Sequence, residues 1–417
     1  VSTRPALGGT PHDAWENTRV DLTGLATLLT QDGWALLESL PAYDESTTIT
    51  LGEQLRRDGH PAEMVAAALT QSRLRAAAHA KFGPFAEGML FTPTGLEQAT
   101  RLPVAARHAQ RFAAAGVRRV GDLGCGIGAD SMALATLDRE VVAVEKDEVT
   151  AAIATVNLRH WPEAVVRHED AMTTRVDDLD GAFLDPARRE ASGRRLLDPR
   201  TGNPPLSFVR ELAGRLPAVG MKTAPGVPHH LVPEDTEAQW VSVDGDVVEC
   251  GLWFGTVARE GVRRSALVLD SGGGGAEIND SSMADRVPAE VGRVGGFLYE
   301  PDGAVIRAGL VAAVANQIGG RLIDPTIAYI TADRIEHTPL ARVYAVEDVF
   351  GFQLKALRTY LRDRGVGRIT IKKRGTAVEP EQLRKQLRLA GPNETTIVLT
   401  RVAGRQSVIV VRPYKQN

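Results

Sequence analysis

The chain has 417 residues, 43% of them hydrophobic, a formal net charge of −3 and only two cysteines, Cys125 and Cys250. At roughly 150 residues per domain this is enough for two to three packed domains; two cysteines exclude a disulfide framework and fit a reducing, cytoplasmic setting. No run is long and apolar enough to span a bilayer, and the opening VSTRPALGGTPHD lacks a signal-peptide pattern, so 1–15 read as a flexible tail.

Residues 16–116 read as a helical N-terminal region. Thr50 followed by Glu53, and Thr94 followed by Glu97, have capping-box spacing. Pro61 suits a helix start, Pro103 should split its segment, and Gly116 suits a helix end.

From 117 to 275 the pattern changes. VRRVGDLG, EVVAVEKD, AVVRHED, GAFLD and AVGMKTA read as strands, interleaved with helical ADSMALATL, EVTAAIATVNLRHW and LSFVRELAGRL. Such alternation predicts an α/β fold, a Rossmann-like doubly wound parallel sheet with crossover helices. QWVSV-DG-DVVECGLWFG then predicts an antiparallel hairpin that closes the sheet. SGGGGAEINDSS reads as a flexible loop. Residues 276–345 read as a linker and connecting α/β region, in which RAGLVAAVANQIGG is helical and IAYITAD a strand. Residues 346–417 form a basic α/β domain built from GVGRITIKKRG, EPEQLRKQLRLAG, TTIVLTRV and QSVIVVRP. From Lys355 to Asn417 there are fifteen Lys and Arg against four Asp and Glu, so a basic end sits on an acidic body. That distribution suits an anionic partner such as RNA.

The chemistry concentrates at strand ends. In VGDLGCGIGADS, Gly124, Gly126 and Gly128 let the backbone approach a ligand ahead of a helix N-terminus. The loop alone also satisfies a dinucleotide pattern, so an NAD-dependent oxidoreductase is one alternative. Asp122 speaks against it: an acid there is unwelcome to a pyrophosphate and suits a ligand carrying an amino group and a sulfonium. Glu145, ending the next strand, has the spacing of a ribose contact. Asp170, with Ala171 beside it, ends the third strand and is placed to meet an adenine amino group. Asp185 and Pro186 end the fourth, at the sheet edge where ligands bind. There a carboxylate and a rigid carbonyl can hold a nucleophilic nitrogen, and the carboxylate can accept its proton. Arg188 and Arg189 are placed for a substrate phosphate. Lys372, Lys373 and Arg374 end a strand of the basic domain, and Arg384, Lys385 and Arg388 share a helix face, all suited to a phosphate backbone. His229, His230, Cys125 and Lys222 read as structural. No ligand spacing for a metal is present.

Together GDLGCGIGAD, Glu145, Asp170 and LDPARR resemble the successive motifs of class I S-adenosylmethionine-dependent methyltransferases. More narrowly, LDPARR, MKTAPGVPHH, QWVSVDGDVVECGLWFG, FLYEPDGAVIRAG and the KKRG segment resemble bacterial methyltransferases with a C-terminal THUMP-like domain. KFGPFAEGMLFTPTGLEQAT is similar to the helical lead-in of trimethylguanosine synthases, which implies that Phe91, Thr92 and Pro93 cover the cofactor. The resemblance implies S-adenosyl-L-methionine as cofactor and methylation of a nitrogen on a base of structured RNA, tRNA or rRNA. The alternatives are a small-molecule or protein substrate, or an inactive RNA-binding protein. The motif after Asp185 lacks the aromatic that nitrogen methyltransferases stack on a base; Trp253 and Tyr299 are the candidates to supply it.

Overall fold

Helices start in the N-terminal region wherever a cap or a proline permits. In the computed structural model, which describes residues 22–186, 198–281 and 288–414, these are α1 (Leu22–Leu28), α2 (Gln31–Ser39), α3 (Thr48–Arg57), α4 (Ala62–Phe82), α5 (Pro93–Gln98) and α6 (Leu102–Ala114). The expected tail over 1–15 lies outside the described residues. Both capping boxes move. Asp44 takes the Ser46 N–H and hydroxyl on its carboxylate and the Thr48 hydroxyl on its carbonyl. The chain therefore turns before Thr50, which lies inside α3. Thr92, not Thr94, caps α5: its hydroxyl accepts the Gly95 N–H at 2.9 Å, and Pro93 takes the first helical position. Lys81 of α4 closes the far end of α5, donating to the carbonyls of Leu96, Glu97 and Ala99. Pro103 lies in the first turn of α6, after a break at Ala99–Arg101, and Gly116 follows that helix at φ 72°.

The chain packs as two units, Val1–Lys222 with Phe254–Val257, and Thr223–Trp253 with Ala258–Asn417. In the first, β1 (Arg119–Leu123), β2 (Glu140–Glu145), β3 (Ala164–His168), β4 (Gly181–Leu184) and β5 (Ala218–Thr223) pair in parallel in the order β3-β2-β1-β4-β5. The helices α7 (Ala129–Thr136), α8 (Glu148–Asn157) and α9 (Leu206–Ala213) alternate with them. Every residue of β4 and β5 is buried, as a strand covered on both faces requires. The carboxyl ends of β1, β2, β3 and β4 carry Asp122, Glu145, Asp170 and Asp185 to one edge. Phe254–Val257 returns to this unit, where the Thr256 N–H bonds the Pro217 carbonyl at 2.8 Å, just before β5.

In the second unit β6 (Glu237–Val243) and β7 (Asp246–Gly255) form the expected antiparallel hairpin. Asp244 and Gly245 join them at φ 51° and 91°, the positive values that a two-residue turn of this kind demands. β8 (Arg264–Leu269) lies parallel to β6, and β9 (Gly275–Asn279) antiparallel to β8. Part of the expected flexible loop is thus a strand. Asp270 closes the glycine turn, its carboxylate taking the Gly274 N–H, and the alternation after it turns Ile278 inward.

The C-terminal elements are β10 (Phe297–Pro301), α10 (Gly303–Ala308), α11 (Val311–Gln317), β11 (Arg321–Leu322), β12 (Ile330–Ala332), β13 (Ala341–Gly351), α12 (Leu354–Asp363), β14 (Val366–Lys373), α13 (Pro380–Leu387), β15 (Asn393–Val402) and β16 (Arg405–Pro413). Their strands form one sheet in the order β11-β12-β10-β13-β16-β15-β14. The single helix read over 307–320 is two, because Gly309 at φ 72° ends α10. Leu357 and Leu361 of α12 and Leu383 and Leu387 of α13 pack on Ile397, Leu399, Val408 and Val410. Val398, Ile409 and Val411, alternating with these, join Leu298, Tyr329 and Tyr344 in a second cluster.

In the first unit Asn157 of α8 ties the segment before α5 to the glycine turn. Its amide accepts the Leu90 N–H at 2.8 Å and donates to the carbonyls of Leu90 and Ile127 at 3.0 and 2.9 Å. Asn157→Ala leaves these buried groups without partners, and a loss on the order of 3 kcal/mol is expected in urea denaturation. A change within about 0.5 kcal/mol, the range of ordinary surface substitutions, would contradict the tie.

Candidate functional site

The glycine turn follows directly from β1. The N–H groups of Gly124 and Cys125 both bond the Val144 carbonyl, pulling the turn against β2. Gly124, Gly126 and Gly128 sit at φ 91°, 56° and 89°, a region that other residues enter only with strain. A Cβ on Gly126 would meet nothing within 4 Å, so open space lies over the turn. Gly128 caps α7.

Glu145 secures this turn from β2. One carboxylate oxygen accepts the Gly126 N–H at 3.1 Å and the other the Asp147 N–H at 2.9 Å, leaving a lone pair on each for another donor. Its strand end pairs with His168 of β3. Two residues on, the exposed Asp170 forms a turn in which its carboxylate takes the Met172 N–H, with Ala171 partly exposed between them.

Asp122 departs from the expectation that it meets a ligand amino group directly. It is 1% exposed. Its carboxylate accepts the Ser131 hydroxyl at 2.6 Å, under the turn rather than above it. Asp130 lies nearby on α7, bonded by the Thr100 hydroxyl at 2.6 Å and by His108 Nδ1 at 2.8 Å. Lys222 donates to Thr100 at 2.8 Å and to Asp185 Oδ2 at 2.6 Å. Lys222 is thus the residue that the sequence reading undervalued. Its signal was a lysine at the end of an otherwise apolar central strand, where burial demands a partner. Burial, with Asp130 close by, pushes the Asp122 carboxyl up to about 8. Burial acts the same way on Asp130, but His108, Lys222 and Thr100 outweigh it and hold that carboxyl down.

Asp185 keeps 21% of its side chain exposed, and Pro186 beside it is buried. The Asp185 carbonyl lies 3.4 Å from the position a Cβ would take on Gly124, so the turn and the end of β4 adjoin. Arg188 and Arg189 lie outside the described residues. Thr92 and Pro93 begin α5, where Gly95 packs on Ile127 of the turn so closely that an added Cβ would sit 2.5 Å from its methyl group. Phe91 is fully buried.

Several expected partners are committed elsewhere. Trp253 and Tyr299 are fully buried, the latter bonded through its hydroxyl to Glu336, so neither can stack on a base. His229 bonds the Arg307 carbonyl and stacks on Trp240, as a structural histidine does. Burial drives the Cys125 thiol well up, which leaves it inert. In the second unit Lys372 pairs with Glu300 and Lys373 with Glu379, each at 2.6 Å. Arg374 bonds the Ala328 carbonyl and lies over the Tyr329 ring. Lys372 and Arg374 line a cavity of 710 Å³ whose walls also carry Asp244, Asp246, Asp270 and Asp302, a poor setting for phosphate. Arg384 pairs with Glu381, and Arg388 turns to φ 50° beyond the end of α13, so the expected shared face of Arg384 and Arg388 is broken. Lys355, Arg358 and Arg362 instead share one exposed face of α12, with Lys385 and Arg388 also exposed. Among the described residues no group of His, Cys, Asp and Glu is arranged to hold a metal, and no helix is long and apolar enough to cross a membrane.

Comparison with known proteins agrees with this geometry. An uncharacterized S-adenosylmethionine-dependent methyltransferase of Mycobacterium tuberculosis, known from two strains, is 36% identical over 319 residues, 75% of this chain and 85% of that protein. This chain belongs to the S-adenosylmethionine-dependent methyltransferases. A family model described as THUMP domain-like matches residues 341–413, and one described as a domain of unknown function, DUF8688, matches 21–78. A crystal structure from Porphyromonas gingivalis W83, provisionally described as a methyltransferase, superposes with a TM-score of 0.70 at 19% identity, covering 90% of this chain and all of that one, and shows a shared fold. The THUMP domain-like match takes in the whole of β13, beginning five residues before the basic domain read from the sequence. The methyltransferase uses S-adenosylmethionine, as its family does.

The buried acids of this methyltransferase fix the sign of a stability effect. Asp122 is raised on folding, so it favours the folded state below its ordinary range and withdraws that contribution as pH climbs from about 4 to about 8. Asp122→Asn, which mimics the protonated form, is expected to flatten the fall in Tm across that window in calorimetric scans. A parallel pH dependence in wild type and variant would show that Asp122 is ionised throughout.

Proposed function

We propose that the enzyme methylates a nitrogen of a base in structured RNA, with the cofactor over the glycine turn and the acceptor at Asp185. The observation that carries the catalytic part is the adjacency of Gly124 and Asp185 at the ends of neighbouring strands β1 and β4. The open space over Gly126 and the unfilled lone pairs of Glu145 suit S-adenosylmethionine, with Glu145 taking the ribose hydroxyls and Asp170 and the Ala171 backbone the adenine. Thr92 and Pro93, packed beside the turn, form one wall. Gly124 and Gly128 shape the turn, and Asp122 supports it from beneath through Ser131 and α7. When bound, the cofactor supplies an electrophilic methyl group. Asp185 accepts a hydrogen bond from the acceptor nitrogen, and Pro186 holds the backbone there rigid, which aligns the nitrogen's lone pair.

RNA is favoured as substrate by the charge of the C-terminal domain. Lys372 and Arg374 are engaged with Glu300 and the Ala328 carbonyl, and Lys373 pairs with Glu379 at the surface, so the proposed contact moves to Lys355, Arg358 and Arg362 of α12 with Lys385 and Arg388. These bind phosphates without reading sequence.

The direct test is transfer of label from methyl-labelled S-adenosylmethionine into RNA, protein and metabolite fractions. Glu145→Ala is expected to abolish cofactor binding, and Asp185→Ala to retain it while losing turnover. Equal loss of affinity in both would overturn the division of roles, and label confined to protein or metabolites would discard RNA. In a separate binding assay with total tRNA, replacing Lys355, Arg358 and Arg362 by Gln should reduce the magnitude of the log–log salt slope by roughly two to three. An unchanged slope would remove α12 from the interface.

A further inference from the structure

We propose that Lys222 is a positioning residue for Asp185: it occupies one carboxylate oxygen and leaves Oδ1 to the acceptor, so Asp185 orients the acceptor and does not take its proton. This rests on the methyl-transfer reading above and deepens it. The argument begins with strand register. Leu184 of β4 faces Met221 of β5, so the next residues, Asp185 and Lys222, leave neighbouring strands side by side. The Lys222 side chain is 4% exposed. A lysine so placed stays charged only with partners, and it has them in Asp185 at 2.6 Å and Thr100 at 2.8 Å. Thr100 passes its own hydrogen to Asp130, and Asp130 meets His108, whose ring packs on Phe183 at 4.7 Å. The ammonium is therefore fixed from behind by a chain that ends in the core, and it cannot swing away to release Asp185.

Among the described residues Lys222 from β5 contacts Asp185 directly and Asp122 from β1 acts on it through space; beyond them, beside Lys222 and Asp122, lie Asp130 from α7 and, through Asp130, His108 from α6. The nearest is the cation, in direct contact. Its bond at Oδ2 sets the direction of Oδ1. On methylation the nitrogen gains a bond to carbon, the carbon–sulfur bond breaks, and the nitrogen's surplus proton passes to bulk water. The interior chain is saturated and has no place for it.

Lys222→Met separates this from a general-base role, because a misaimed acceptor loses rate at every pH and a lost general base loses it on one side of the profile only. Two readouts on the full chain decide: S-adenosylhomocysteine affinity by calorimetry, and label transfer from about pH 6 to about pH 9. In Lys222→Met S-adenosylhomocysteine affinity is expected to be unchanged, since the cofactor contacts are left in place. Transfer is expected to fall about 100-fold at every pH, as misplacement predicts. Thr100→Val, which keeps the ammonium and removes one anchor, should show a smaller loss in the same direction, and it carries the test if Lys222→Met does not fold. Transfer in Lys222→Met that matches wild type, or returns to the wild-type level at alkaline pH, overturns the proposal; so does full activity in Thr100→Val. Wild type that binds S-adenosylhomocysteine and labels no fraction would refute the methyl-transfer reading instead, whereas a labelling wild type matched by Lys222→Met refutes only the role of Lys222.

Discussion

Charges buried beneath the glycine turn have to cancel, and the rest of the first unit is arranged so that they do. Asp122, Asp130 and Asp185 converge there from the end of β1, the start of α7 and the end of β4. Two buried carboxylates with a third, half-buried one beside them would be costly in a low-dielectric interior. Lys222 and His108 compensate two of them by direct contact. The third, Asp122, is left to the Ser131 hydroxyl and is the one that burial pushes towards its neutral form. The pattern divides labour among chemically identical groups. The acid with a cation and some solvent ends β4 beside the glycine turn, the acid with a histidine anchors a helix, and the acid with only a hydroxyl supports the turn.

That arrangement reaches the open edge of the sheet through the backbone. Ser131 and Asp130 belong to the first turn of α7, so their bonds to Asp122, Thr100 and His108 fix the direction from which α7 meets the glycine turn. Glu145 holds the same turn from the other side through the Gly126 N–H, and Asn157 holds its far end through Ile127. A loop made of residues with little conformational preference is thereby held by side chains outside it. Preorganisation of this kind matters for a transfer reaction, in which position supplies much of the rate.

Most of the first unit was legible in the sequence because strand and helix periods alternate cleanly there and each strand ends in a charged or turn residue. The same reading placed Asp122, Glu145, Asp170 and Asp185 at one edge, which follows from parallel strands alone. What it missed was pairing across the chain. Nothing near Lys222 in sequence announces Thr100, and nothing near Asp130 announces His108. Trp253 and Tyr299 looked available because aromatic character is visible in a sequence and burial is not. The helix starts slipped where a local turn preceded the expected cap, as at Asp44 before Thr50. The glycines from 272 to 275 hid a strand because turn composition outweighed the short alternation behind it. In β13 a bulge between Val346 and Asp348 broke the two-residue period that would have marked one long strand.

The same distinction between composition and pairing governs the basic C-terminal domain. A run such as Lys372, Lys373 and Arg374 attracts notice because its charges are contiguous, yet contiguity along a strand sends alternate side chains to opposite faces. Lys372 and Arg374 turn towards Glu300 and Tyr329, while Lys373 stays at the surface beside Glu379, so the run does not present its three charges together. Lys355, Arg358 and Arg362 are dispersed in sequence and gathered by the helical period. Leu357 and Leu361 anchor the same helix on the sheet, so the basic face is held to solvent by the apolar one. A polyanion needs charges that share a surface, and in this domain the helix, with three exposed cations on one face, meets that condition better than the strand.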